Sequence, residues 1–166
     1  AVKIDKLLGL DIDPTAIDVA KENVIKSGLQ DRIELITGDM LEPKTYSSKI
    51  ISKGDKVAFN AIMALHEFLI DGDIAVINVL KKMKEEFPGS YFILGEFNRC
   101  SDEEFSKIPI YERMHMLFYQ EIIHGLTDQD LASLEKWKKI FHESGVELIE
   151  YKKDFPFRLV EYVLKF

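Results

Sequence analysis

Five polar residues stand where short apolar runs give way to turns in this 166-residue chain: Asp11, Asp39, Asn60, His66 and Glu96. In an open α/β sheet, ligands bind beyond the carboxyl ends of the strands, so polar groups at those ends are the first candidates for a site. A carboxylate that closes a strand can accept two hydrogen bonds from the adjacent hydroxyls of a ribose, which hydroxyl and amide side chains match less strongly. Asp11 stands in that place; the alternative is that it only caps the turn that follows. A metal centre is not expected, because none of the four histidines has a partner at i, i+4 together with a third carboxylate ligand.

Positioning these groups calls for strands that alternate with helices. Leu7, Leu8 and Leu10 form a short apolar run closing at Asp11, the pattern of a strand buried on both faces of a parallel sheet. Asp13 as cap and Pro14 as first residue start a helix, and Ile17, Ala20, Val24 and Ile25 recur at helical spacing until Gly28. Ile33, Leu35 and Ile36 make the next strand, closed by Gly38 and Asp39, and the polar residues 43–56 read as loop. A third strand opens at 57–59, and a helix over 74–87 carries Ile77, Leu80 and Met83 on one face. Pro88 and Gly89 end it before a strand over 91–97.

Residues 109–125 form a helical stretch whose run from Met114 to Tyr119 reads as core more than as substrate pocket. Asp128 is the expected cap of a further helix with the stripe Leu131, Leu134, Trp137, Ile140 and Phe141, ended by Gly145. The last strands, 147–155 and 158–166, are joined across Pro156 with no helix between them, which requires antiparallel pairing. The alternation implies an α/β, doubly wound, mostly parallel sheet. With no internal repeat or linker, residues 1–166 are expected to form a single domain.

A formal net charge of -7 argues against a broad footprint for nucleic acid or an anionic membrane surface. The one cysteine, Cys100, allows neither an intrachain disulfide nor a cysteine zinc site, which makes a reducing, cytoplasmic setting the expectation. Asp71, Asp73 and Lys81 interrupt the longest apolar stretch, so no membrane span is expected. A small-molecule or carrier-bound substrate fits this charge balance, and the composition leaves room for a homodimer.

Read whole, GLDIDPTAIDVAKENVIKSGLQDRIELITGDML, residues 9–41, resembles the stretch of class I S-adenosylmethionine-dependent methyltransferases that runs from the acidic strand end to the adenine site. The resemblance implies that Asp11 binds the ribose hydroxyls and that Ile12 packs on the adenine. It also implies that Asp39 accepts from the adenine amino group while Met40 covers the ring. Such a pair is chemically sensible, since a carboxylate beside an apolar slot reads an exocyclic amine and a thioether adapts to the ring; for Met40, core filling is the alternative.

FNAIMALHEF, residues 59–68, is similar to the segment after the fourth strand of small-molecule methyltransferases, which implies that the backbone at Asn60 and Ala61 lies along the methionine part of the cofactor. FPGSYFILGEF and LEKWKKIFHESGVELIEY resemble the fifth strand, last helix and sixth strand. In that arrangement His66 and Glu96 end adjacent strands, and the glutamate orients the imidazole and raises its basicity as a general base for O- or C-methylation. The other reading of His66 is a partly buried histidine that caps a short helix. His115 and His124, in a helical insert over about 102–126 that would cover the acceptor pocket, could replace it as base, whereas His142 reads as solvated.

The family's strand order would be 3-2-1-4-5-7-6 with the seventh strand antiparallel. Its first strand and glycine-rich turn should precede Leu7, where only six residues stand. The numbering is therefore expected to start inside a longer gene product; the alternatives are a strand supplied by another chain, or lost cofactor binding. Two rivals remain at this stage: a non-catalytic methyltransferase-like subunit or interaction module, and a nicotinamide-dependent dehydrogenase. The closing antiparallel pair and the Gly38-Asp39-Met40 turn speak against the latter.

Overall fold

The structure, a computed structural model, describes residues 4–50, 56–127, 131–153 and 159–166, leaving out the side chains of 119–121. It comprises two compact units, Ala1–Asp55 and Lys56–Phe166.

The first unit contains β1 (Leu7–Asp11), α1 (Pro14–Lys26), β2 (Ile33–Thr37), a 3₁₀ turn (Pro43–Thr45) and α2 (Ser47–Ile50). The Asp13 carboxylate accepts from the Thr15 amide at 2.8 Å and Pro14 opens α1, the start expected from their order. β1 and β2 run parallel, with Leu7 opposite Ile33 and Asp11 opposite Thr37, and α1 is the crossover that parallel pairing needs.

Two expectations need correction here. The leucines of β1 are half-buried or exposed rather than covered on both faces, because β2 is the strand's one partner among the described residues. The stretch after Met40 is not plain loop: up to Ile50 it forms the 3₁₀ turn and α2, with Pro43 and Tyr46 buried. Residues 51–55 lie outside the described ones.

The second unit opens with β3 (Ala58–Ile62), a 3₁₀ helix (Leu65–Asp71), α3 (Asp73–Glu86) and β4 (Tyr91–Phe97). A helical insert follows, made of α4 (Asp102–Ser106), α5 (Ile110–Met116), a π-helical stretch (Leu117–Ile123) and α6 (His124–Leu126). Then come α7 (Leu134–Ser144), β5 (Glu147–Lys153) and β6 (Leu159–Lys165). The sheet order is β3-β4-β6-β5, with β3 parallel to β4 and β6 antiparallel to both of its neighbours. Ser133 rather than Asp128 caps α7, accepting from the Lys136 amide at 3.2 Å, so Leu131 precedes the helix although it is buried. Asp128 itself lies outside the described residues. Gly145 ends α7 at φ 72°, a left-handed conformation that any side chain would strain.

Parity along the sheet explains the core. Opposite residues of paired strands share a face, so Leu94 lies beside Tyr162 and Phe92 beside Leu164, and all four are buried. α7 brings Trp137, Ile140 and Phe141 to that face at i, i+3 and i+4; the Phe141 ring meets Tyr162 edge-on at 5.1 Å and stacks on Trp137 at 5.8 Å. The insert departs from expectation, since Met116 is buried but Met114, Leu117 and Phe118 are exposed: its helices turn one side to the rest of the unit. No helix of the described residues is long and apolar enough to cross a membrane.

Replacing Phe141 by alanine empties a site walled by Trp137 and Tyr162 and should lower the stability of the second unit by about 3–5 kcal/mol. Urea titration followed by the emission of Trp137, the sole tryptophan, measures it; a loss below about 1 kcal/mol would show that this ring cluster is not the core.

Candidate functional site

In the first unit, parallel pairing brings the carboxyl ends of β1 and β2 together. The amide of Gly38 donates to the carbonyl of Asp11 at 2.9 Å, which carries the ladder into the turn and sets Asp39 beside the end of β1. Gly38 sits close to β1, since an added Cβ would come within 2.6 Å of Leu10 Cδ1. Both carboxylates are held by the amide two residues on. Asp13 N donates to Asp11 Oδ1 at 2.9 Å, and Leu41 N donates to Asp39 Oδ1 at 2.8 Å. In each case Oδ2 has no partner among the described residues. Asp11 and Ile12 are exposed, Ile12 to 67%, while Asp39 and Met40 are half-buried.

Tyr46 is a neighbour that the sequence reading missed. Its hydroxyl donates weakly to the Met40 carbonyl at 3.4 Å. Burial, with the charge of Asp39 added, pushes its phenol up from 10.0 to about 12. An aromatic at the edge of a polar stretch was the one available hint.

In the second unit the same logic joins β3 and β4. Ile62 lies opposite Gly95, and the Met63 amide continues the ladder to the Gly95 carbonyl at 2.7 Å. Asn60 and Ala61 therefore sit inside β3, not at its end as expected: the strand runs on, Asn60 is exposed opposite Ile93, and Ala61 is half-buried opposite Leu94. The strand ends at Ile62, and Met63 just after it stands at φ 57°, a conformation that a long L side chain rarely takes. That turn directs the amides of Ala64 and Leu65 at Glu96, whose Oε1 accepts both, at 3.0 and 2.7 Å. The other oxygen, Oε2, lies 2.7 Å from His66 Nδ1.

Glu96 is 0% exposed and His66 2%. An ionised Glu96 can only accept, so the partner nitrogen Nδ1 carries its proton and Nε2 is left as the basic nitrogen. His66 thus sits on the short helix after the strand, as its rival reading had it, but its ring bonds Glu96 as well. Of the two insert histidines, His115 is exposed, whereas His124 is 3% exposed with its ring 5.5 Å from that of His66. His142 is exposed on α7.

A buried polar pair continues along β4: Tyr162 donates to Asn98 Oδ1 at 2.9 Å, and burial, with the Glu96 charge added, holds its phenol well above the usual range. A cleft of about 540 Å³ opens past β4, lined by Asn98, Arg99, Ser101, Ile108, Ser133 and Val160. Neither His66 nor Glu96 is among its lining residues. Among the described residues no group of His, Cys, Asp and Glu is placed to hold a metal ion.

No family model matches the chain, and no curated protein matches it. Solved structures do. A mitomycin 7-O-methyltransferase superposes with a TM-score of 0.71 at 17% identity, over 96% of this chain and 41% of its own. An O-methyltransferase family 2 protein from Planctomyces limnophilus, in complex with apigenin, gives 0.67 at 15% identity over 97% and 43%. LepI, in complex with SAM, gives 0.64 at 12% identity over 96% and 36%. The chain has the class I methyltransferase fold, mostly parallel with one antiparallel C-terminal strand, and it spans about two fifths of the length of these structures.

Exchanging Glu96 for glutamine leaves an oxygen for the two amides but turns an NH₂ toward His66. The imidazole must then accept at Nδ1 and move its proton to Nε2. Long-range proton–nitrogen NMR of the histidine ring should report that switch, and a ring still protonated at Nδ1 would refute the assigned roles.

For Tyr46 the folded unit keeps a proton that the unfolded chain loses. Its contribution is therefore complete below pH 10 and is lost as pH rises towards about 12. Tyr46→Phe should flatten that part of the stability profile, read as urea midpoints by circular dichroism; an unchanged slope would mean that Tyr46 ionises as in the unfolded chain.

Proposed function

We propose that this chain serves S-adenosylmethionine-dependent methyl transfer to a small-molecule or carrier-bound acceptor, O-methylation being favoured by the names of the solved structures that share its fold. The observation that carries the reading is the joined carboxyl end of β1 and β2, where Asp11 closes one strand and Asp39 follows two residues after its partner Thr37.

The residues present fit the adenosyl part of that cofactor. Each carboxylate is aimed by a backbone amide through Oδ1 and keeps Oδ2 for a ligand, Asp11 for the ribose hydroxyls and Asp39 for the adenine amine. Ile12 and Met40 supply apolar cover for a ring, one exposed and one half-buried. When bound, S-adenosylmethionine supplies an electrophilic methyl group on a sulfonium.

The second unit supplies the proton chemistry. His66 takes the acceptor's proton at Nε2, and Glu96 fixes the ring through Nδ1 and stabilises the imidazolium that results. This is the arrangement in which a carboxylate sets the tautomer of a catalytic histidine without itself becoming protonated. Burial keeps water from both groups.

Asp11→Ala should weaken S-adenosylmethionine binding about 100-fold or more, since it removes a charge-assisted contact pair. Calorimetry on the whole protein measures it, with NAD as the control ligand expected to show no heat. Equal affinity in wild type and variant, or binding of NAD instead, would end this reading.

A further inference from the structure

The sheet of the second unit has one face in the core and one that lies open. Phe92, Leu94, Tyr162 and Leu164 point into the core, so the alternate residues of the strands point the other way. On that side Tyr91 is 45% exposed, Ile93 42% and Ile62 58%. Parallel strands such as β3 and β4 are ordinarily covered on both faces, and large apolar side chains grouped on an open sheet mark a surface that another layer meets.

The order of residues on this face says what fits it. Asn60, Ile93, Val163 and Glu150 are paired in register and make one row straight across the four strands. On one side of it lies the row Ala58, Tyr91, Lys165 and Glu147, and on the other the row Ile62, Gly95, Glu161 and Lys152. Strand by strand the two flanking rows are opposites: small against large in β3, large against none in β4, positive against negative in β6 and negative against positive in β5. A two-fold axis along the central row would turn a second copy face down on the first, reverse its strands and lay each flanking row on the other. Tyr91 would then meet Gly95 of the second copy, where the absent side chain leaves a hollow. A Cβ there would stand 3.4 Å from Ile62 and 3.6 Å from Leu159. Lys165 would meet Glu161 of the second copy, and the reverse.

We propose that this face is a dimer interface, on which a second copy of the chain stacks sheet to sheet about a two-fold axis along the Asn60–Ile93–Val163 row. The match is closest at β4 and β6. Twist carries the outer strands of stacked sheets apart, so Glu150 does not press on Glu150 of the second copy. With strands about 4.8 Å apart and residues about 3.3 Å apart, the plate measures about 19 by 17 Å. That is well short of the roughly 800 Å² per partner of a firm complex, so the dimer is weak, with a dissociation constant of about 10–100 µM. Because the axis reverses the strands, the carboxyl ends of β3 and β4, with Glu96 and His66 beside them, face opposite ends of the pair. Pairing therefore does not set one candidate site against the other.

Sedimentation velocity of the 166-residue chain, from about 1 to 300 µM, tests the proposal. Wild type should pass from monomer to dimer across that range. Tyr91→Glu and Ile93→Glu put charge in the middle of the plate and should weaken association at least about tenfold, whereas Ile74→Glu, at an exposed site on α3, should leave it unchanged. Glu161→Lys and Lys165→Glu should each associate about tenfold more weakly alone and recover when mixed in equal amounts, because only the mixture restores opposite charges across the axis. That recovery also shows that both variants are folded, and circular dichroism melts check the others. A wild type that stays monomeric at the highest concentration would overturn the proposal and give the face to another occupant. So would a dimer indifferent to Ile93→Glu, or a mixture of the two charge variants that associates no better than either alone.

Discussion

A carboxylate at zero exposure is the constraint on which the second unit turns. Glu96 cannot be buried as a charge unless both of its oxygens are hydrogen-bonded, since an unpaired buried charge costs several kcal/mol. Two amides and one imidazole meet that demand. To bring those amides in, the chain must turn sharply as soon as β3 ends, which forces Met63 to φ 57° at a cost of order 1–3 kcal/mol. The strain is tolerated because the same turn sets the first residues of the 3₁₀ helix, and with them His66. Charge satisfaction, backbone strain and the location of the imidazole are therefore a single arrangement rather than three.

The register of β3 on β4 follows from it. Because the strands are parallel, the residue after Ile62 meets the carbonyl of Gly95, and the next amides fall beside Glu96. A slip of β3 by one residue would carry the amides of Ala64 and Leu65 out of line with Glu96 and leave the buried carboxylate short of partners. The polar residues Glu96 and Asn98 are bounded by Trp137, Phe141 and Tyr162. This apolar surround suppresses ionisation of the Tyr162 phenol and strengthens each hydrogen bond that Glu96 accepts.

Where the chain is punctuated, its elements were legible before any coordinates. Asp13 with Pro14, Pro88 with Gly89, and Gly145 each carry a local chemical reason to start or stop an element, and each boundary falls within a residue or so of the expected one. The misses share a cause: they depend on neighbours distant in sequence. Asn60 looks like a strand end by polarity, but pairing with Ile93 carries the strand past it. Nothing about methionine announces the left-handed turn at Met63, which Glu96 imposes from another strand. Tyr46 sits in a polar stretch and becomes buried through packing in its own unit. The run from Met114 to Phe118 has core composition, yet a helix that lays down only one side leaves the rest exposed. Of the site, Asp11 as the last residue of β1 was legible, whereas His66 lies beyond the strand on the 3₁₀ helix; that His124 is buried and His115 exposed was not legible, because helical spacing cannot say which side of an insert faces inward.

The sequence posed the turn-capping and ligand-binding roles of Asp11 as rivals, and the geometry shows why they are compatible. A carboxylate has two oxygens and about four lone-pair directions. Asp11 uses one oxygen to accept from the amide two residues on, and Asp39 does the same at the end of the neighbouring strand. Each turn thereby fixes its side chain in advance, so that a ligand meeting Oδ2 need not immobilise a free rotor. A carboxylate on a floppy loop would lose part of its binding energy to that ordering. Asp11 and Asp39 are clamped in the same way, each by an amide two residues on. Capping the turn and the ligand role proposed for Asp11 therefore do not exclude each other.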